Sequence, residues 1–587
     1  MCGLAGIVRF GADERIISES IVQQMLERIA HRGPDEKGIY EDGNCVFGHV
    51  RLSIVGGQSG RQPICKGGHV LIFNGEIYNF KDIDKTVRSD THALFNLLTR
   101  NGVTDCVLNS LNGVWAFCFS DEKHVYLVRD RFGEKPLYYT VFKNHLYFCS
   151  EIKGMLDVPG LELEIDLPEL YPHLETGISG KTIFKRVFEV PPGFYVVFEK
   201  RSGMMRQHQY YSLPSIAAKD RETFNAKQCS SLVVDAVTLR APDISYGAYV
   251  SGGIDSSAIA RILTPDQILT CTAQMPGISE EKYADMVVAC RGGAVDYMKV
   301  GGSHSVQDFI EMVYANDGPT TTFAAISEFL MAQRVRHKVV FSGIGVDEFF
   351  GGYGRHVIAY SDVLPDEIAN QYRYLVSKVG NLSLSSAQKY YRLVNRSSPH
   401  PLLERLIEDA FSVVREPISA MGVCDAAVSL VPLLSTSDKM NMWSGVEMRS
   451  PFLDYRIVEY GLSLRTQDKI RHHTKGGIVT KYAFREAVKN FLPREVYERR
   501  DKIGFSSEIN KKLRGEWEPL VKKFAVLLKQ EYPKEGYYHP SLSPEVFDRK
   551  RYQIFQLGIT HLLFCRRLTI PDVLELMIQW RSSEKDY

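Results

Sequence analysis

A chain of 587 residues exceeds what one hydrophobic core organises, so two to four domains are expected. Its 71 Lys and Arg against 70 Asp and Glu leave a formal charge of +1, no polybasic run stands out, and nucleic acid is not an expected partner. With 44% hydrophobic and 24% charged residues, no signal-like start and no apolar run near the roughly 18 to 20 residues of a membrane span, the composition reads as a soluble cytoplasmic protein with no membrane partner.

Among 11 cysteines no two form Cys-x-x-Cys, which argues against zinc knuckles or a disulfide framework and for reduced, mostly buried thiols. Cys2 is placed differently. It follows the initiator Met, its side chain is small enough for that Met to be removed, and a free α-amine with a reference pKa of about 7.7 to 8.0 can then take the thiol proton. Strand-like runs with polar clusters follow at 31–35, 48–55 and 70–79. In the last of these an apolar run enters Asn74-Gly75-Glu76, where the Asn74 amide and the Gly75 N–H suit a developing oxyanion and Glu76 suits a ligand ammonium. Asn-Gly is equally the commonest hairpin signal, so a plain turn is the competing reading. Arg51 offers a bidentate carboxylate clamp and Asp90 a second negative group. Together they suit the two charged ends of an α-amino acid.

Strand patterning ends near residue 215 and 219–239 takes helical spacing, which divides the chain into units 1–215 and 216–587. The second unit opens with a strand at 246–250, ending at Val250, that stops in Ser251-Gly252-Gly253-Ile254-Asp255-Ser256-Ser257. Gly252 and Gly253 let backbone N–H groups converge, the helix expected through 259–263 adds more, and the product is an anion nest of polyphosphate size. ATP is the expected guest, with Asp255 facing Mg²⁺ and the serines donating to phosphate oxygens. No Gly-Lys-Ser/Thr closes the loop, so it is not a Walker A motif. A strand at 268–273 completes strand–loop–helix–strand, the start of a parallel α/β sheet whose ligand belongs at the strand carboxyl ends. Another strand at 338–341 runs into Ser342-Gly343-Ile344-Gly345-Val346-Asp347-Glu348, bringing Asp347 to join Asp255 around Mg²⁺. Farther on, 437–440, 446–454 and 480–486 read as helical segments of mixed charge, for which salt-bridged packing is the plain alternative.

Residues 1 to about 200 resemble the class II glutamine amidotransferase domain, an N-terminal-nucleophile (Ntn) hydrolase with an αββα sandwich. The resemblance implies Cys2 as nucleophile, Asn74 and Gly75 as the oxyanion hole, and Arg51, Asn74, Glu76 and Asp90 as glutamine-binding residues. Further matches run from Arg129 to Tyr139, through Ser150-Glu151-Ile152-Lys153, and at Pro191-Pro192-Gly193. The rest of the chain resembles the synthetase half of the asparagine synthetase B family, a PP-loop ATP pyrophosphatase domain with a helical C-terminal part. The match is weakest over 360–425 and the last residues. This implies glutamine hydrolysis to ammonia, attack of a substrate carboxylate on the α-phosphorus of MgATP, and displacement of AMP by ammonia arriving through an internal tunnel. Val250, Ser251, Gly252, Gly253, Asp255, Ser256, Ser342 and Gly343 then bind ATP and pyrophosphate, and Asp255 and Asp347 bind Mg²⁺. Lys481, with Lys475 as the nearby alternative, is the catalytic cation. Arg449 and Asp438 serve the acceptor pocket or its supports, aspartate is the leading acceptor, and a homodimer is compatible with the resemblance.

One position departs from the family. Its members usually read Ser-Gly-Glu-Gly where this chain has Ser342-Gly343-Ile344-Gly345, and that glutamate is assigned to the acceptor intermediate and the incoming ammonia. Ile344 can do neither, which puts aspartate in doubt, and Glu348 or Glu447 are the carboxylates available to take the role over. Relatives with other residues there, and with an ending like Arg500-Asp501-Lys502-Ile503-Gly504-Phe505, act on other carboxylates such as uronic acids or natural-product intermediates. Ring closure in the manner of β-lactam synthetases needs no ammonia and sits poorly with an intact glutaminase set. A non-catalytic homologue sits poorly with intact Cys2, Asn74 and Ser251-Gly252-Gly253.

Overall fold

The computed structural model describes residues 2–11, 18–176, 182–219, 221–272, 281–290, 295–301, 304–362, 364, 366–395, 400–472, 477–499, 509–533 and 544–582. Lys475 and the 500–505 ending lie outside these. Twelve strands come first: β1 (Cys2–Arg9), β2 (Glu36–Glu41), β3 (Cys45–Arg51), β4 (Ile64–Lys66), β5 (His69–Ile77), β6 (Gly113–Ser120), β7 (His124–Arg129), β8 (Tyr138–Phe142), β9 (His145–Cys149), β10 (Phe188–Glu189), β11 (Phe194–Glu199) and β12 (Met205–Gln209). They form two six-stranded sheets, β10-β8-β9-β1-β3-β2 and β12-β11-β7-β6-β5-β4.

Alternation along the strands fixes the layers. Leu4 and Val8 of β1 share an inner core with Val70 and Ile72 of β5, whereas Ala5 and Ile7 pack outward with Val22, Met25 and Leu26 of the helix Glu19–Arg28. Leu71 and Phe73 in turn cluster with Leu94, Phe95 and Leu98 of the helix Asp90–Asn101. The layers are therefore helix, sheet, sheet, helix. Cys2 and Asn74 share the parity of the inward-facing residues, which sets them between the sheets at one end of the sandwich.

Five parallel strands organise the rest: β13 (Gly247–Tyr249), β14 (Gln267–Thr272), β15 (Asp296–Gly301), β16 (Val339–Phe341) and β17 (Glu447–Arg449), in the order β15-β14-β13-β16-β17. The chain order reverses between β13 and β16. At such a switch point the loops leaving adjacent strands part, and a crevice opens at the strand carboxyl ends. Both glycine-rich loops emerge there. β17 corrects the helical reading of 446–454: Glu447 to Arg449 pair in register with Val339 to Phe341, and a 3₁₀ turn, Pro451–Leu453, follows. The helix expected over 219–239 begins later, at Ala226–Leu239, where the Asn225 side chain caps its first turn.

Helices make up most of the remainder. One of them, Pro417–Trp443, overturns the reading that no apolar stretch has the length of a membrane span, since its 27 residues are long and apolar enough to cross one. Of its most apolar 18-residue window 67% is buried inside the protein, as in a core helix, and a π-helical turn at Ala426–Leu430 interrupts it.

Candidate functional site

Cys2 opens β1, and the antiparallel register sets it opposite Arg51 of β3. Its backbone N–H donates to Asn74 Oδ1 at 2.9 Å, from one sheet to the other. Asn74 Nδ2 is buried without a partner, an amide donor held open beside the thiol-bearing residue. Gly75 lies inside β5, not in a hairpin turn, at φ 150°, and a Cβ there would stand 2.0 Å from the Val114 carbonyl oxygen, so only glycine fits. Burial pushes the Cys2 thiol up, with Arg51 and the Leu52 backbone pulling the other way, so the thiolate needs a nearby base.

Arg51 is buried, its Nη1 donating to Glu36 at 2.8 Å and its Nη2 to the Val55 carbonyl at 3.0 Å. It lines a cavity of about 310 Å³ together with Glu36, Lys37 and His49. Asp90 accepts from the backbone N–H groups of Ile77 and Thr91, next to Glu76 in the chain fold. Burial pushes Glu76 up to about 8 and Asp90 up to about 6. Burial outweighs the positive charge nearby, Arg449 beside Glu76 included, and a ligand ammonium would add to that charge.

The second site forms around the loop after β13. Gly252 takes φ 69°, and Gly253 caps the helix Ile254–Ile262 with no side chain on its first-turn N–H groups, leaving them to face an anion. Gly343 of the loop after β16 packs against this turn: a Cβ would meet Ser256 N at 2.8 Å and Asp255 Cβ at 3.0 Å. Lys481 Nζ stands 2.7 Å from Asp255 Oδ2 and 2.7 Å from Asp347 Oδ1. Lys481 itself sits at φ 54° as the N-cap of the helix Tyr482–Val488, a left-handed conformation whose strain of about 1 to 3 kcal/mol persists where surroundings enforce it. Gly352 leaves it room, because a Cβ there would lie 2.0 Å from Asp347 Oδ1 and 2.2 Å from Lys481 Cε.

Among the described residues no group of three or more His, Cys, Asp or Glu forms a metal cage. Two carboxylates already converging on one cation fit Mg²⁺ nonetheless, since that ion takes one or two carboxylates and completes its shell with phosphate oxygens and water.

Asp255, Ser256, Ser342, Gly343 and Asp347 border a cavity of about 250 Å³ whose far wall includes Ile344, Met331, Leu433, Glu328 and Glu348. Burial pushes Glu348 and Glu328 each up to about 7. Glu348 Oε1 accepts from the Tyr353 hydroxyl at 2.5 Å, and its Oε2 is buried without a partner. Glu447 pairs instead with Arg449 at 2.6 Å. Of the two carboxylates available to stand in for Ile344, Glu348 is the one at the cavity.

The Arg449 and Asp438 side chains point their charges toward the first unit. The Arg449 guanidinium lies 2.5 Å from Glu76, and Asp438 lies 2.8 Å from Arg32 and 3.8 Å from Lys135. Sequence reasoning missed Arg32, which donates from Nε to the Cys2 carbonyl at 3.0 Å and pairs with Glu151 at 2.6 Å. Lys153 and Lys439 continue the buried charges through Asp317 at 2.9 and 3.1 Å. The signal was present in Ser150-Glu151-Ile152-Lys153, charges set into an apolar run, but Glu151 finds Arg32 and His31 far back in the same half and Lys153 finds Asp317 in the other.

A glutamine amidotransferase domain model matches residues 1–211, and the asparagine synthase model matches residues 228–564. A putative asparagine synthetase (glutamine-hydrolyzing) 2 of Methanocaldococcus jannaschii is 30% identical over 408 residues, 61% of this chain and 77% of that one. Asparagine synthetase (glutamine-hydrolyzing) 3 of Bacillus subtilis is 27% identical over 546 residues, 85% and 86% of the two chains. A protein of Gibberella zeae named amidase chry2 is 28% identical over 598 residues, 85% and 88%. With more than half its length matched by the synthase model and its first 211 residues by the amidotransferase model, the chain belongs to the asparagine synthase family of ATP-using, glutamine-hydrolysing carbon–nitrogen ligases.

Proposed function

We propose that the unit 1–215 hydrolyses glutamine at Cys2 and that the unit 216–587 uses the ammonia to amidate a carboxylate activated by ATP. The observation that carries this reading is the pairing, in one chain, of a buried thiol beside an open amide donor with a phosphate nest closed by Lys481 between two carboxylates. With Met1 removed, the α-amine takes the Cys2 proton and Sγ attacks the glutamine side-chain carbonyl. Asn74 Nδ2 and the Gly75 N–H receive the oxyanion, Arg51 turns from Glu36 to the substrate carboxylate, and Glu76 and Asp90 hold its ammonium. Collapse releases ammonia and leaves a thioester that water cleaves to glutamate.

In the second unit Val250 to Gly253 and Ser256, with Ser342 and Gly343, cradle the pyrophosphate. Asp255 and Asp347 would hold Mg²⁺, which neutralises phosphate charge. The acceptor carboxylate attacks the α-phosphorus, Lys481 stabilises the charge that develops, and ammonia then displaces AMP from the acyl-adenylate. Activation is needed because oxide is a far worse leaving group than AMP. Keeping both sites in one chain holds ammonia unprotonated and away from bulk water.

Aspartate is the acceptor we put first, on the names of the relatives, with the enzyme working in the cytoplasm and a homodimer compatible with this reading. A second reading, the same chemistry on another carboxylate, is favoured by Ile344 in the cavity wall, and a relative of like similarity bears a name that mentions no aspartate. The test is Cys2→Ala assayed with glutamine and with ammonium: the variant loses glutamine-dependent amide formation and keeps ammonium-dependent AMP release within about twofold. Undiminished glutamine use by the variant would sink the nucleophile assignment. Absence of aspartate-dependent AMP from the intact enzyme moves the acceptor to the second reading.

A further inference from the structure

Arg449 is the last residue of β17 and belongs to both sites at once. Its carbonyl accepts the Ser342 N–H at 2.9 Å, at the root of the second glycine-rich loop. Its side chain runs the opposite way, into the sandwich, where the guanidinium lies 2.5 Å from Glu76 Oε1 and 2.6 Å from Glu447 Oε1 and donates to the Arg240 carbonyl. Tyr78, two residues beyond Glu76, offers its ring to Arg240 at 4.6 Å and to Arg449 at 5.6 Å. Arg240 is fixed by Asp454 at 2.8 Å, and Asp454 also accepts from Asn112 of the sandwich at 3.1 Å. Glu76, Arg240, Glu447, Arg449, Asp454 and Asn112 are buried and Tyr78 is half-buried.

The charges do not balance. Glu76 and Glu447 share one guanidinium. Despite burial, the α-amine first, then Arg449 and Lys135, hold Glu447 down to about 2, whereas burial pushes Glu76 up to about 8 against the pull of Arg449. Glu447 keeps its hold on Arg449, and Glu76 is the member open to exchange. A glutamine ammonium arriving at Glu76 takes over that carboxylate, and the positive charge of Arg449 is then less compensated at the strand end that anchors the pyrophosphate loop.

Resting on the function proposed above, we infer that Arg449 is a positioning residue that couples glutamine capture to ATP binding, its guanidinium on Glu76 and its carbonyl on Ser342. Glutamine occupancy therefore tightens ATP, and ATP tightens glutamine by the same factor. The link needs no moving domain. It needs a shared carboxylate and a strand three residues long.

The experiment uses Cys2→Ala full-length protein, so that glutamine binds without turnover, and measures ATP affinity by calorimetry in MgCl₂ with and without saturating glutamine. We expect glutamine to tighten ATP by about fivefold or more, within the usual range of coupling between sites. Adding Arg449→Gln brings that factor to about one and leaves ATP affinity without glutamine within about twofold, which also reports an intact fold. Arg449→Lys, which keeps the charge but not the fork, restores part of the factor. An unchanged factor in the Arg449→Gln protein overturns the inference, as does a factor of one before Arg449 is touched. Loss of ATP binding in the double variant makes Arg449 a structural support and overturns it too. Failure of Cys2→Ala to bind glutamine or ATP at all removes the underlying function, and the inference with it.

Discussion

Lys481→Met tests the arrangement at the centre of the ATP site without any assay of turnover. The methionine keeps the length and apolar stem of the side chain and removes the charge. Asp255 Oδ2 and Asp347 Oδ1 each lie 2.7 Å from the lysine nitrogen, so they are at most about 5.4 Å apart, and at an effective permittivity of about 20 two unit charges at that distance repel by about 3 kcal/mol. That agrees with the roughly 3 to 5 kcal/mol lost when one partner of a buried pair is removed. For a unit of this size the fall in melting temperature is about 4 °C. The sign with pH follows from the like charges. The deficit is full where both carboxylates are ionised, at pH 8, and shrinks as the solution is acidified toward pH 5. Millimolar MgCl₂ should restore the lost stability at pH 8, because the ion fills the gap the ammonium left. Thermal melts at pH 8 and pH 5, with and without MgCl₂, measure all four cases. A variant that melts within 1 °C of the parent at pH 8 (about 0.8 kcal/mol or less for such a unit), or a deficit indifferent to both pH and Mg²⁺, refutes the reasoning.

Glu348→Gln should lower amide formation by about a hundredfold or more, in the range of lost general acid–base catalysis. It should also stabilise the protein, by up to about 3 kcal/mol at pH 8.5 and by well under half of that at pH 5. Burial raises the folded pKa of Glu348 from 4.5 to about 7, so the penalty on its ionised form is absent below 4.5 and full above 7. Paired pH melts check the sign, and a variant no more stable than the parent at pH 8.5 removes the premise. Glutamine affinity, read by calorimetry on Cys2→Ala, should tighten from pH 6 to pH 9 as Asp90, raised to about 6, and Glu76, raised to about 8, ionise. Glu76→Gln should flatten the upper part of that curve. A pH-independent affinity in Cys2→Ala would mean that neither carboxyl receives the ammonium.

The sandwich was legible because its strands are long. Eight residues of alternation in β1 and nine in β5 set the parity that brings Cys2 and Asn74 face to face, and the Ser251 loop was legible because an abrupt stop in glycines after an apolar run has few other meanings. β17 was not legible. Three residues carry no period, their flanks carry charges that suit a helix, and the partner strand β16 lies a hundred residues earlier. The buried ions between the halves were hidden for a related reason. Arg32 with Asp438 and Lys153 with Asp317 pair across more than a hundred residues, contacts that only the packing of the halves makes. Asn74-Gly75 shows the converse, a turn signal overruled because pairing with β6 runs straight through it, Asn74 opposite Ala116 and Gly75 opposite Trp115.

These hidden parts bear on the acceptor. A glutamate at position 344 would approach the cavity from the loop after β16, ahead of the short helix Val346–Phe350, whereas Glu348 approaches from inside that helix, tied to Tyr353. The carboxyl is thereby moved along the wall and the vacated position becomes apolar, so the cavity keeps a proton-handling group while changing the shape and polarity of what fits beside it. A family glutamate that both handles protons and meets the acceptor would have its two duties divided here: proton handling at Glu348, acceptor contact at Ile344. Restoring the family residue with Ile344→Glu then separates the readings. If aspartate is the acceptor, the added carboxylate changes aspartate-dependent AMP release by less than about tenfold, because Glu348 already serves. If the acceptor is larger or less polar, the same change cuts AMP release with that acid far more, since an unpaired carboxylate forced against an apolar substrate costs several kcal/mol.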